Sequence, residues 1–120
     1  MTIDHEVGQR EIQQGISPEL AYMRPDAYQL TQALGPRDEK FLRPDVQFLD
    51  ITEDTLFVLA SDGLTDNDLL EKSIETHLLP LLNQEANLQA GAAALVDLAN
   101  QFNGHDNITV ILVRALHHRP

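Results

Sequence analysis

With 120 residues, 42% of them hydrophobic, the chain has enough apolar material for a globular core and too much for a disordered tail. A net charge of −11 argues against nucleic acid and anionic membrane surfaces as partners, since both demand a basic face. There is no cysteine, which removes disulfides, zinc-thiolate sites and cysteine nucleophiles, and no apolar run approaches the ~18 residues of a membrane span.

The opening MTIDHEVGQR lacks the cationic-then-apolar pattern of a secretion signal, and a cytoplasmic location is expected. Residues 6–24 read as helical and polar, with Val7, Ile12 and Ile16 forming a thin apolar stripe. Ser17-Pro18-Glu19 is a helix start, with Ser at the N-cap and Pro at the first helical position. The helix it opens should end before Pro25. Tyr28 to Leu34 is expected to be extended and closed by Gly35-Pro36, and Arg37 to Arg43 to be a charged loop.

Val46 to Ile51 alternates, and Thr55 to Ala60 is a greasy run. With Thr52-Glu53-Asp54 as the turn, the two predict an antiparallel hairpin. Asn67 or Asp68 is placed to cap a helix whose Leu69, Leu70, Ile74 and Leu78 share a face. Asn87 should cap a longer helix over 88–102, and Gly104 stands where a C-terminal cap belongs. Asn107 to Val113 predicts a last strand, apolar on both sides, and the tail His117-His118-Arg119-Pro120 should fray. Strands and helices in separate runs indicate an α+β layered domain.

Two stretches carry chemistry. In LASDGLTD (59–66), Asp62 and Gly63 end a buried strand abruptly. In GHDNITVILV (104–113), Asp106 begins another. If the strands are antiparallel neighbours, the two carboxylates meet at one end of the sheet, a natural site for a hard cation such as Mg2+ or Mn2+. Gly63 would allow a sharp turn through a backbone angle other residues avoid. Asn107 and Thr109 can hydrogen-bond the loops around the pair. Taken alone, Asp-Gly after a strand is an ordinary turn, and Asp-Asn after Gly an ordinary loop. Together they make a specific pattern. His5 reads as a packed or loop-capping residue, His105 as a solvated one, and Asp66 and Asp68 as helix caps.

These two motifs, with TIDH (2–5) and LTQALG (30–35), resemble the C-terminal part of the metal-dependent PP2C (PPM) family of serine/threonine protein phosphatases, most closely its bacterial members. The resemblance implies an α-β-β-α sandwich of antiparallel sheets, of which only a portion is present. It implies phosphoserine and phosphothreonine proteins as substrates and two Mg2+ or Mn2+ ions that activate a water for attack on phosphorus. It assigns Asp62 and Asp106 as metal ligands and residues of roughly 6–30 as the flap beside the active site, with 45–115 as the C-terminal strands and helices. Ala27-Tyr28 and Gln32 depart from the Arg-Asn and Arg of many members. The family's phosphate-binding Arg and bridging Asp have no counterpart here. The chain alone is therefore expected to be inactive, with no catalytic residue and no organic cofactor site of its own, and to need an N-terminal half or self-association. The alternative is an inactive PP2C-like binding or regulatory module.

Overall fold

The computed structural model describes residues 2–35 and 38–118. Pro36 and Arg37, at the expected closure and loop, and Arg119 and Pro120 of the tail lie outside the described residues. The chain divides into two compact units, Met1–Phe48 and Leu49–Pro120.

In the first unit, α1 (Val7–Gln13) and α2 (Pro18–Tyr22) form where the cap signals put them, and Ser17 Oγ accepts the Leu20 N–H at 3.5 Å. Their small core is Val7, Ala21 and Ala27, the last two fully buried. The chain then turns back along α1. The N–H groups of Val7 and Gly8 donate to the carbonyls of Gln29 and Ala27, and Glu6 and Leu30 form an antiparallel bridge. The expected extended run from Tyr28 thus shrinks to one bridge, because residues 24–29 are spent on turns.

The Tyr22 ring lies against Tyr28, and a Cβ on Gly8 would sit 2.8 Å from it. The Tyr22 hydroxyl donates to Glu6, and partial burial followed by that carboxylate raises its pKa above the ordinary phenol value. Arg24 donates to Asp26 through a two-pronged bond and holds that carboxyl below the usual range. Ala27 and Gln32, two of the three residues that depart from the PP2C pattern, both have local work. Ala27 fills the core, and Gln32 Nε2 donates to the Arg43 carbonyl at 3.2 Å while its Oε1 accepts the Arg43 N–H. His5 pairs with Asp45 at 2.9 Å, a loop-tying role. Met23 is 78% exposed and packs little.

The second unit is built on β1 (Thr55–Ala60) and β2 (Val110–Ala115), an antiparallel pair running from Thr55↔Ala115 to Ala60↔Val110. The expected hairpin between 46–51 and 55–60 does not form. Residues 42–52 enter no ladder, and Val46, Phe48 and Leu49 are exposed at 72%, 94% and 65%. A strand needs a bonded neighbour, and β1 takes β2 instead.

α3 (Asp62–Thr65), α4 (Leu69–Lys72) and α5 (Leu88–Phe102) pack Leu64, Leu69, Leu95 and Ala99 into the core, with Ile108, Val110 and Leu112 against it. Asn87 Oδ1 caps α5 by accepting the Ala90 N–H at 3.0 Å. The helix expected from Leu69 to Leu78 breaks at Ser73, which is buried and whose hydroxyl bonds back to the Leu69 carbonyl. A π turn follows over Ile74–Leu78, then a 3-10 turn over Leu79–Leu82 that carries Pro80. Asn67 and Asp68 do not cap α4 through their side chains. Both take left-handed angles, φ 60° and 56°, which short polar residues tolerate.

β2 is not apolar-covered on both sides as expected. Val110 and Leu112 meet the core, while Ile111 and Val113 stay 55% and 48% exposed. The tail is tied at its first residue, since the His117 N–H donates to Asp54 Oδ1 at 2.8 Å.

Candidate metal site

The register sets the geometry. Ala60 ends β1 opposite Val110, which begins β2. Asp62 therefore follows the end of one strand and Asp106 precedes the start of the other, at the same end of the pair. Three contacts fasten the two loops. Ser61 N–H donates to the Thr109 carbonyl at 3.0 Å. Ser61 Oγ donates to the Asn107 carbonyl at 3.2 Å and accepts the Thr109 N–H at 2.9 Å. Asn107 and Thr109 thus contribute through their backbones, and the side chain that joins the loops is Ser61. A serine between a strand and an Asp-Gly carried no separate signal in the sequence.

Gly63 is needed for a reason other than the one its turn suggested. It is not among the residues with positive φ. It is buried in the first turn of α3, and a Cβ there would lie 2.3 Å from the Asn107 carbonyl oxygen. The glycine lets the Asp62 loop press directly on the Asp106 loop. Gly63→Ala is expected to destabilise the second unit by about 1–3 kcal/mol, at the upper end because the obstacle is backbone and cannot rotate aside. Chemical denaturation of the purified chain checks this, and an unchanged midpoint would contradict the close approach.

Both carboxylates are exposed. Asp62 Oδ1 accepts the Gly63 N–H at 2.9 Å, and Asp106 Oδ1 accepts the Asn107 N–H at 2.7 Å. Each side chain is oriented by the amide that follows it, with Oδ2 left over. None of the ion pairs among the described residues involves either Asp; all fall in residues 5–45. The donors at this end of the sheet are therefore carboxylate, hydroxyl and carbonyl oxygens, the set that hard divalent cations prefer. Among the described residues, no group of three or more His, Cys, Asp or Glu side chains is arranged to hold a metal ion. His105 is exposed beside Asp106, and Asp66 faces solvent.

Sequence reasoning missed two further residues. Asn103, at the end of α5, is 1% exposed. Its Nδ2 donates to the carbonyls of Gly63 at 3.3 Å and Asp66 at 3.0 Å, and its Oδ1 accepts from Asn67 Nδ2 at 2.8 Å. The only signal was an Asn just before the Gly of a helix terminus, and Gly104 took the attention. Gly104 too is required by close approach, since a Cβ would sit 2.6 Å from the Asn100 carbonyl. Arg114, half-buried on β2, donates to the carbonyls of Leu81, Asn83, Gln84 and Ala86 and so closes the turns after Pro80. A cleft of about 400 Å3 opens between α4, the π turn and α5, lined by Leu69, Ser73, Thr76, Leu98 and Phe102 among others; neither Asp62 nor Asp106 lines it.

Asp62 and Asp106 thus stand on two loops pinned together at the same end of an antiparallel strand pair. Comparison with known proteins gives this arrangement a context. The chain is 32% identical over 116 residues to the protein phosphatase PhpP of Streptococcus pneumoniae serotype 2, and equally to PhpP of a second strain. The match takes in 94% of this chain and 44% of the phosphatase, so the chain spans less than half the length of the curated relatives it matches. No family model matches the chain, and no solved structure matches it. The chain is thus homologous to part of a bacterial protein phosphatase, which bears out the resemblance carried by its motifs. Among the described residues no helix is long and apolar enough to cross a membrane.

Proposed function

We propose that the chain is a portion of a Mg2+- or Mn2+-dependent phosphoprotein phosphatase of the PP2C type, acting on phosphoserine and phosphothreonine. The observation that supports this reading is the placement of Asp62 and Asp106 at the same end of β1 and β2 in a chain homologous along 94% of its length to a protein phosphatase. In this reading the Oδ2 atoms of Asp62 and Asp106 hold a divalent cation, with water completing its shell. A bound ion of this kind supplies an activated water and offsets phosphoryl charge. Ser61 and Gly63 keep the two loops together, and the N–H groups of Gly63 and Asn107 orient the carboxylates.

Two carboxylates cannot complete a binuclear centre. The proposal therefore includes a completing segment that brings the bridging Asp and the phosphate-binding Arg of the PP2C pattern. The same segment would bring the second sheet of an α-β-β-α sandwich over the open side of β1 and β2. Residues of about 6–30 would serve as the flap and 45–115 as the C-terminal strands and helices, in a cytoplasmic enzyme.

The test is hydrolysis of a phosphothreonine peptide with Mn2+, measured for residues 1–120 alone and mixed with the part of PhpP that the match does not reach. No turnover alone and Asp62-dependent turnover in the mixture are expected. Robust turnover by the chain alone that vanishes in Asp62→Ala would overturn the need for completion. No turnover in either case, with Mn2+ bound, would favour a binding or regulatory module.

A further inference from the structure

We infer that Asn103 is the positioning residue that fixes the Asp62 loop against the Asp106 loop. The inference rests on the reading of those two carboxylates as cation donors and adds the side chain that sets their separation. α3 is a single turn over Asp62–Thr65, too short to satisfy its own last carbonyls. The Gly63 and Asp66 carbonyls point inward, and Asn103 Nδ2 reaches both. Its Oδ1 takes Nδ2 of Asn67, the residue at φ 60° that turns the chain out of the loop. One amide thus grips the 63–67 segment at three points.

The other end of the grip matters equally. Asn103 is the C-cap residue that follows α5, and the chain leaves it through Gly104 and His105 straight to Asp106. Its N–H is held by the Ala99 carbonyl at 2.7 Å, so the residue is anchored to a rigid helix whose Leu95 and Ala99 are fully buried. Ser61 fastens the two loops on the strand side, and Asn103 fastens them on the helix side. With both in place, neither carboxylate loop can shift without breaking several hydrogen bonds, and the buried one from Asn103 to the Gly63 carbonyl is the costliest to leave unmade.

No other common side chain fits these demands. The site needs two donors and one acceptor on a short planar group, the inventory of Asn. Aspartate would offer no donor to the two carbonyls. Alanine would remove the side-chain partner of the Gly63 carbonyl and of the Asn67 amide, and would leave the Asp66 carbonyl with the Leu69 N–H alone.

The test uses the full chain with Asn103→Ala, Asn103→Ser and, as a control, Leu81→Ala, a buried position under α5 away from both loops. Hydrogen exchange is read residue by residue, and Mn2+ affinity is read by calorimetry. In Asn103→Ala the amides of Gly63, Leu64, Thr65, Asn107 and Thr109 are expected to exchange about tenfold or more faster relative to the rest of the second unit. Mn2+ affinity is expected to fall about tenfold. Asn103→Ser, which keeps one donor, should recover part of both effects. Leu81→Ala should raise exchange evenly and leave Mn2+ affinity intact once its unfolded fraction is counted. Exchange in Asn103→Ala that rises evenly, as in the control, would overturn the inference. So would unchanged Mn2+ affinity. If the wild-type chain binds no Mn2+, the reading of the carboxylates falls, and the exchange pattern alone decides whether Asn103 positions the loops.

Discussion

Leu95→Ala is expected to cost the second unit about 2–5 kcal/mol, a large share of a typical domain margin of about 5–15 kcal/mol. Leu95 is fully buried near the middle of α5 and packs in the same cluster as Leu64, Leu69 and Ala99. Leu64 belongs to α3, the turn that carries Asp62, so the cavity opens behind the Asp62 loop. A small unit has few ways to collapse around such a void, which puts the cost toward the upper part of the range. Urea denaturation followed by circular dichroism measures it. A loss under about 1 kcal/mol would mean that the cluster is not the core of this unit.

Self-association should be the second large effect. The register pairs Phe57 with Val113 and Leu59 with Ile111, which puts four apolar side chains on one face of the strand pair. Leu59, Ile111 and Val113 are 53%, 55% and 48% exposed. Covering the exposed half of each is worth on the order of 1 kcal/mol, so the open face as a whole is a drive to find cover. In the proposed sandwich a second sheet provides it. Without that sheet, a second copy related by a two-fold axis is the simplest substitute. Light scattering over a dilution series is expected to show a concentration-dependent dimer. Leu59→Lys/Ile111→Lys should weaken it by about a hundredfold or more, as two buried charges replace two apolar contacts. A folded, strictly monomeric chain at high concentration would show that this face needs no cover.

What the sequence made legible was local. Ser17 and Asn87 announced their helices because a capping side chain and its amide lie within three residues of each other. The run from Leu56 to Ala60 announced its strand, and the two Asp residues their place at strand ends. Pairing was harder, since it is decided by partners far along the chain. The alternation over 46–51 offered a near neighbour, and β1 took the distant β2, with its six-residue register. Breaks inside helices were hidden for a related reason. The apolar spacing of Leu69, Leu70, Ile74 and Leu78 suits one helix, but the buried hydroxyl of Ser73 turning back on Leu69 depends on its surroundings. At the site, residue types gave away the charged groups and not their supports. Ser61, Asn103 and the close contact at Gly63 act through backbone carbonyls, which every residue has and no sequence pattern marks.

If Asp62 and Asp106 share one cation, titrating Mn2+ by calorimetry into the wild-type chain and into Asp62→Asn/Asp106→Asn separates the two proteins. Weak, saturable binding in the wild type is expected, as suits two carboxylates completed by water, and it should disappear in the double variant. The same Mn2+ affinity in both proteins would contradict the account.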